Sequence, residues 1–450
     1  MENFDLIVRG GTVVTESEVR AADIAVADGR ITRVDPDLGA TAREEIDARG
    51  LHVFPGLIDA HVHFNEPGRA EWEGLETGSS ALAAGGGTLF FDMPLNAHPP
   101  TLDAAGFKLK LAGAERSSRV DFAFWGGLVP QNLDRLEELA AAGVVGFKAF
   151  MADSGIDDFP RVDDDQLREG MKRAAWLGLP VAVHAESEAM TRRLARERIE
   201  RGQISAHDYL ASRPVAAELD AIGRALDMAG ETGCALHVVH VSCGEGIRLI
   251  TDARARGVDV SCETCPHYLV LTADDLERLG AVAKCAPPLR APAQREELWR
   301  CVLAGVVTTI GSDHSPSPPH MKKDTSFFRV WGGISGVQHT LPLLLTEGYV
   351  NRQMALPAIA RLTSSDVARR FRLGTKGDIA VGHDADLALV DLGGRFEVRS
   401  EELWYRHRQS PYIGRRLQGR VVRTLVRGQT VFRDGKMIAK ARGRLVKPIL

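Results

Sequence analysis

Several kinds of protein are excluded by what this chain has little of. Six cysteines among 450 residues are too few for a disulfide-stapled scaffold, so the fold must rest on a buried core with its thiols reduced. The opening Met1-Glu2-Asn3-Phe4-Asp5 is acidic where a secretory leader is basic. No apolar run reaches the ~18 residues of a membrane span. The chain is accordingly read as cytoplasmic, with no membrane partner. It also lacks an excess of either charge: 56 Lys and Arg against 60 Asp and Glu leave −4, too weak a field to gather nucleic acid. With 26% charged and 44% hydrophobic residues, disorder, collagen-like sequence and a coiled coil are excluded. No G-x-G-x-x-G turn follows the first strand, which weakens an open doubly wound sheet, the alternative α/β reading.

Glycine, by contrast, is plentiful at 45 residues, as many tight βα turns require. From Phe54 to Arg370 a short β-branched or aromatic run, a polar turn and a helical stretch recur eight times. The runs are Gly56 to His61, Thr88 to Met93, Val120 to Trp125, Val144 to Ala149, Pro180 to His184, Leu236 to His240, Val258 to Glu263, and Val306 to Asp313. Eight such units predict a (β/α)8 TIM barrel over 55–370, with its site at the C-terminal ends of the strands. Helices are predicted over Gln131 to Ala142, Asp164 to Trp176 and Val215 to Glu231. The two ends read alike. Leu6 to Val13 and Leu425 to Val431 are β-rich runs broken by glycine, as hairpins are, and Asp23-Ile24-Ala25-Val26 is echoed by Asp378-Ile379-Ala380-Val381. They predict a small β-sandwich domain built from 1–54 and 371–450 around the barrel.

The chemistry lies where histidine, lysine and aspartate end these runs. His61 and His63, two apart in a strand, share one face and can converge on one ion. By itself such a pair is as common in surfaces and cores as in metal sites. A barrel, however, brings His184 and His240 to the same mouth, and Asp313 beside the first strand on closure adds a carboxylate that also suits a divalent cation. His237, three residues before His240, faces the other way and is read as packing. Lys148 ends the fourth run. It either pairs with a carboxylate or, as a neutral amine, adds carbon dioxide to give a carbamate whose two oxygens bridge two metals. Two divalent ions set against a carbamate, Asp313 and a bridging hydroxide leave a mild positive excess. The set reads as metal-assisted hydrolysis.

Several segments resemble the cyclic amidohydrolases, and among them the bacterial allantoinases. They are His61-Val62-His63-Phe64-Asn65-Glu66-Pro67-Gly68-Arg69, Trp72-Glu73-Gly74, Asp92-Met93-Pro94-Leu95-Asn96, Gly146-Phe147-Lys148, Ser312-Asp313-His314-Ser315-Pro316 and Trp331-Gly332-Gly333-Ile334. The likeness runs on through Tyr405-Arg406-His407 and Ser410-Pro411-Tyr412. It implies two divalent metal ions bridged by N6-carboxylated Lys148, with His61, His63 and Asp313 on the more buried ion and His184 and His240 on the other. Zinc is the default, and cobalt, manganese, nickel or iron suit the same ligands. It implies that Asp313 accepts a proton from a metal-bridged hydroxide and returns it to the leaving nitrogen. The implied reaction opens the hydantoin ring of allantoin to allantoate, in a homotetramer. Substrate contacts implied are Asn65, Asn96, Cys285, Ala286, Ser315, Trp331 and Gly332.

Two neighbouring activities are set against this one. Dihydroorotases carry Arg where Asn65 stands, to hold a substrate carboxylate that allantoin lacks. Dihydropyrimidinases and hydantoinases lack the Glu66 to Arg69 and Met93 to Asn96 patterns. A non-catalytic scaffold of the dihydropyrimidinase type would have lost ligands, and here all six are present. Ala286 stands where related loops often carry Ser, which leaves ring preference open. Cys262-Glu263-Thr264-Cys265 has no second pair at zinc-finger spacing and is read as part of the seventh strand. Cys285 either lines the site as an inert thiol or is reactive.

Overall fold

In the computed structural model, which describes residues 3–438, 440 and 442–449, each of the eight runs contributes a strand. These are Leu57–Val62, Gly87–Asp92, Asp121–Phe124 continued at Gly126–Gly127, Phe147–Phe150, Val181–His184, Leu236–Val238, Val260–Thr264 and Thr309–Ile310. Neighbours pair in parallel throughout. The third strand breaks at Trp125, whose indole Nε1 donates to the Ala60 carbonyl at 3.0 Å. The ring closes where His63 N–H donates to the His314 carbonyl at 2.8 Å, beside a parallel bridge between Val62 and His314. The fold is a TIM barrel with a β-sandwich domain.

Apolar side chains fill the barrel, among them Ile58, Ala60, Leu89, Phe91, Trp125 and Ala182, so the interior is a packed core. A second, larger set joins the strands to the outer helices. The helix Asp164–Trp176 starts on a reciprocal cap: Gln166 N–H donates to Asp163 Oδ1 at 2.8 Å, and Asp163 N–H to Gln166 Oε1 at 2.9 Å. Val215–Thr232 stops at Gly233, which takes the left-handed conformation. The helix predicted from Gln131 is shorter than expected. Asn132 turns its side chain onto Val129 N–H and the Leu102 and Gly127 carbonyls, in competition with helical bonding, so the α-helix starts at Leu136.

Strands from both ends form one nine-stranded sheet in which His52–Pro55 pairs with Leu387–Val390. Two expectations change here. Gly10-Gly11 does not turn the chain: Asn3–Val14 runs through it as one strand with a register shift between Val8 and Gly11. Gly10, at φ 64°, makes a bulge whose N–H donates to Asp23 Oδ1 at 2.7 Å. Only the C-terminal run makes the hairpin, Arg416–Val426 to Gln429–Arg433. Asp378-Ile379-Ala380-Val381 forms no strand. It lies between Gly377 and Gly382, both at positive φ, and buries Ile379 as a strap on the sheet.

The two parts are joined by buried charge. Lys376 Nζ reaches Asp121 Oδ2 at 2.6 Å on the third barrel strand, and Asp384 and Asp386 at 2.9 and 2.7 Å. Arg427 also pairs with Asp121. Three clustered carboxylates of this kind could hold a cation, but the ammonium already occupies their centre. The C-terminal tail adds backbone bonds to the same strand, Phe122 N–H to Arg444 O and Val446 N–H to Phe122 O. Among the described residues no helix is long and apolar enough to cross a membrane. Replacing Lys376 with Met leaves buried carboxylates without their counter-charge, so Lys376→Met is expected to lose about 3–5 kcal/mol. Denaturant midpoints of the two proteins check this, and an unchanged midpoint refutes it.

Candidate metal centre and its cavity

His61 and His63 flank Val62 and, by the two-residue period of a strand, point the same way. His184 is the last residue of the fifth strand, His240 lies two residues past the sixth, and Asp313 three past the eighth. His240 and Asp313 have φ of 42° and 46°, and Asn65 and Asn96 φ of 64° and 65°. Left-handed backbone costs of order 1 kcal/mol or more per residue and persists only where the surroundings enforce it. Here it turns the chain sharply at four strand ends and brings polar side chains to the mouth.

Two donor sets result. His61 Nε2 and His63 Nε2 lie 3.2 and 3.5 Å from Asp313 Oδ1, close enough for one ion to take all three. His184 Nδ1 and His240 Nε2 face each other at 3.1 Å. The ring centroids of His61 and His240 are 5.4 Å apart, so the sets are neighbours. The Lys148 amine bears electrostatically on His61, His184 and His240 alike. It is fully buried, with no hydrogen-bond partner and no carboxylate within 4 Å among the described residues, and the Phe150 ring centroid is 4.6 Å away. A buried, unpartnered amine beside facing imidazole nitrogens is costly for the bare chain. It is the arrangement a cation pair with a carbamate bridge would satisfy.

The charges lean the same way. Burial pushes Lys148 down to about 7 despite Asp313 and Glu263, so much of it is neutral near neutrality. Burial would raise the Asp313 carboxyl, but His61, His63 and His240 hold it far below the usual carboxylate range. Burial depresses His63, His184 and His240, which favours the neutral imidazole a cation needs, whereas Asp313 and Glu263 raise His61 against its burial.

Sequence reasoning missed the groups that aim these ligands. Glu263 Oε1 lies 2.7 Å from His61 Nδ1, which as donor leaves Nε2 with its lone pair facing Asp313. Glu186 does the same for His184 at Nε2, 2.8 Å away, and is itself neutralised by Arg213. Asn96 approaches His63 Nδ1 at 3.4 Å. An acid inside a strand expected to be buried was the available signal for Glu263, hidden in a segment that draws attention to its cysteines. His237 is apart from the donors: its Nδ1 meets Ser261 Oγ at 2.8 Å and its ring packs on Trp125 and Phe371.

The donors open into a cavity of about 380 Å³ whose lining includes Asn96, Cys285, Ala286, Ser315, Trp331 and Gly332. Asn65 is buried outside that lining, and its side-chain amide donates to the Pro316 carbonyl at 3.4 Å. The Cys285 thiol is buried and pushed up to about 12 by burial, which makes it a poor nucleophile. Tyr209, Arg213, Lys284 and Phe328 also line the cavity and were not anticipated.

The amidohydrolase family model matches residues 52–431. An allantoinase from Rubrobacter xylanophilus is 58% identical over 448 residues, covering 100% of this chain and 98% of that protein. An allantoinase from Deinococcus radiodurans is 51% identical over 446 residues, covering 99% of each. Among solved structures, L-hydantoinase (dihydropyrimidinase) from Arthrobacter aurescens superposes with a TM-score of 0.97 at 35% identity, over 99% of this chain and 100% of that one. With the barrel, the terminal sheet and the convergent imidazoles already in place, these likenesses identify the chain as a member of the amidohydrolase family.

Proposed function

We propose that this protein is an allantoinase that opens the hydantoin ring of allantoin to allantoate. The observation that carries the proposal is the convergence of His61, His63, His184, His240 and Asp313 at one cavity, with the buried Lys148 amine close behind them. It is supported by curated allantoinases 44–58% identical over nearly the whole chain. The hydantoinase neighbour, at 35% identity, supports the same chemistry on a related ring. Asn65 in place of a carboxylate-binding arginine fits an uncharged substrate. Location in the cytoplasm and assembly as a homotetramer belong to the same proposal.

His61, His63 and Asp313 would hold one divalent ion, and His184 and His240 the other. The depressed amine of Lys148 adds carbon dioxide, forming an N–C bond and releasing a proton, and its carbamate oxygens would bridge the pair. Zinc is the expected metal. When bound, such a pair acidifies water and polarises the scissile carbonyl. The chain supplies the rest. Glu263 and Glu186 fix the tautomers of His61 and His184. Asp313 points Oδ1 at the histidines, and its second oxygen takes the proton from the attacking water and passes it to the departing ring nitrogen. The cavity walls hold the ring through Asn96, Ser315 and the backbone at Ala286 and Gly332.

A panel of allantoin, hydantoin, dihydrouracil and dihydroorotate on metal-loaded enzyme is expected to give far the highest kcat/KM with allantoin. Comparable turnover of dihydroorotate would sink the assignment. Lys148→Ala should lose metal and activity together, with partial rescue by a short-chain acid such as acetate. Full metal content and rate in that variant would remove lysine from the ligand set. Asp313→Asn keeps an oxygen toward the metal but cannot take up the proton, and acid–base catalysis is worth about 10²–10⁴-fold. A kcat loss of that order with metal only partly depleted is expected, and a near-normal kcat would assign the proton transfer elsewhere.

A further inference from the structure

Two lysines, Lys284 in the cavity lining and Lys322 bonded to the segment that forms part of it, have no role in the chemistry above. Lys284 is buried, and its amine donates to the Phe327 carbonyl at 2.7 Å, to Phe328 at 3.4 Å, and to Val330. It lies 4.6 Å from the Tyr209 ring centroid. Lys322 donates to the Trp331 and Gly333 carbonyls at 3.0 and 2.7 Å. Among the described residues no carboxylate lies within 4 Å of either amine. The two amines are therefore held by five carbonyls of one segment.

The consequence is seen in the backbone bonds of that segment. Trp331 N–H is taken by Met321 O, Gly333 N–H by Lys284 O at 2.7 Å, and Ile334 O by Ser315 N–H. The carbonyls on either side of Gly332 go to Lys322. Gly332 alone, from Trp331 to Gly333, keeps both N–H and C=O free of any partner among the described residues. It lines the cavity, with nothing within 4 Å of where a Cβ would sit. Gly333 has φ 140°, and a Cβ there would meet the Ser315 carbonyl at 2.1 Å, which locks the turn behind it.

We propose that Lys284 and Lys322 are positioning residues for ring selectivity. By engaging the carbonyls of Trp331 and Gly333 and those just before them, they leave the N–H and C=O of Gly332 unpaired at the cavity, set to pair with an amide edge of the substrate ring. The inference rests on reading the cavity as a cyclic-ureide site. It concerns how that ring is read, not the reaction performed on it. A site built to bond an N–H discriminates strongly against an analogue that lacks it.

The test compares wild type, Lys284→Met, Lys322→Met and Lys322→Gln. The substrates are a cyclic ureide the wild type opens and its analogue methylated at the ring nitrogen that is not the leaving group. Wild type is assayed first on allantoin and hydantoin. Hydantoin turnover without allantoin turnover overturns the substrate assigned above and leaves this test standing on hydantoin. The Met variants are expected to keep wild-type metal content and to raise KM for the parent ring about tenfold, one hydrogen bond's worth, with kcat little changed. Their preference for the parent over the methylated ring should fall by a similar factor. Lys322→Gln, which keeps two N–H donors, should lie between. An unchanged KM and preference, or an equal loss on both rings, overturns the proposal. If Lys284→Met does not fold, the Lys322 pair decides the matter in the same terms.

Discussion

The site depends on closure of the barrel between its first and last strands. The backbone bond from His63 to His314 sets Asp313 against His61 and His63. These residues are some 250 positions apart, and nothing local would bring them together. Once the ring is closed, the other strand ends are fixed by parallel pairing in register, so the position of His184 and His240 follows from the same constraint. The left-handed turns at His240 and Asp313 are sustainable because this closed frame over-determines them.

A cluster of imidazoles, an amine and carboxylates in a dry mouth is expensive for the bare chain, and the surrounding structure is arranged to limit that cost. Each of the carboxylates that orient ligands is itself paired. Glu186 lies between His184 and Arg213, and Glu263 between His61 and the backbone N–H of His240. Apolar side chains pack the interior below the site. The same economy recurs away from the site at Lys376, where one ammonium serves three buried carboxylates and joins the two parts of the molecule.

Patterns with a fixed period were legible in the chain. Alternation in the first strand placed His61 and His63 on one face, and repetition of strand and helix signals gave the barrel. The helices Asp164–Trp176 and Val215–Thr232 carried their own start and stop chemistry. Groups whose meaning depends on a distant partner were not legible. Glu263 acts on a residue 202 positions away, and Lys284 on carbonyls 43 to 46 positions on. Asp378 to Val381 has the composition of a strand but lies between two glycines at positive φ, and only Gly382 and His383 after it bond the sheet edge at Ile31; Gly10-Gly11 reads as a turn until the opposite strand is present to stretch it into a bulge.

The sheet at the chain ends has a further consequence, in the time needed to make the protein. His52–Pro55 pairs with Leu387–Val390, and roughly 330 residues separate the two. At a synthesis rate of about 5–20 residues per second, that interval lasts roughly 20–60 s. Through it the N-terminal strands have an apolar face and an unpaired edge, the kind of surface that recruits other chains. Two features of those strands blunt it. Gly10 bulges the central strand, and Arg9 and Asp23 place charge beside the bulge. The N-terminal half of the sheet has to remain soluble as an unfinished object for most of the chain's birth, and its irregularities serve that interval as well as the finished fold.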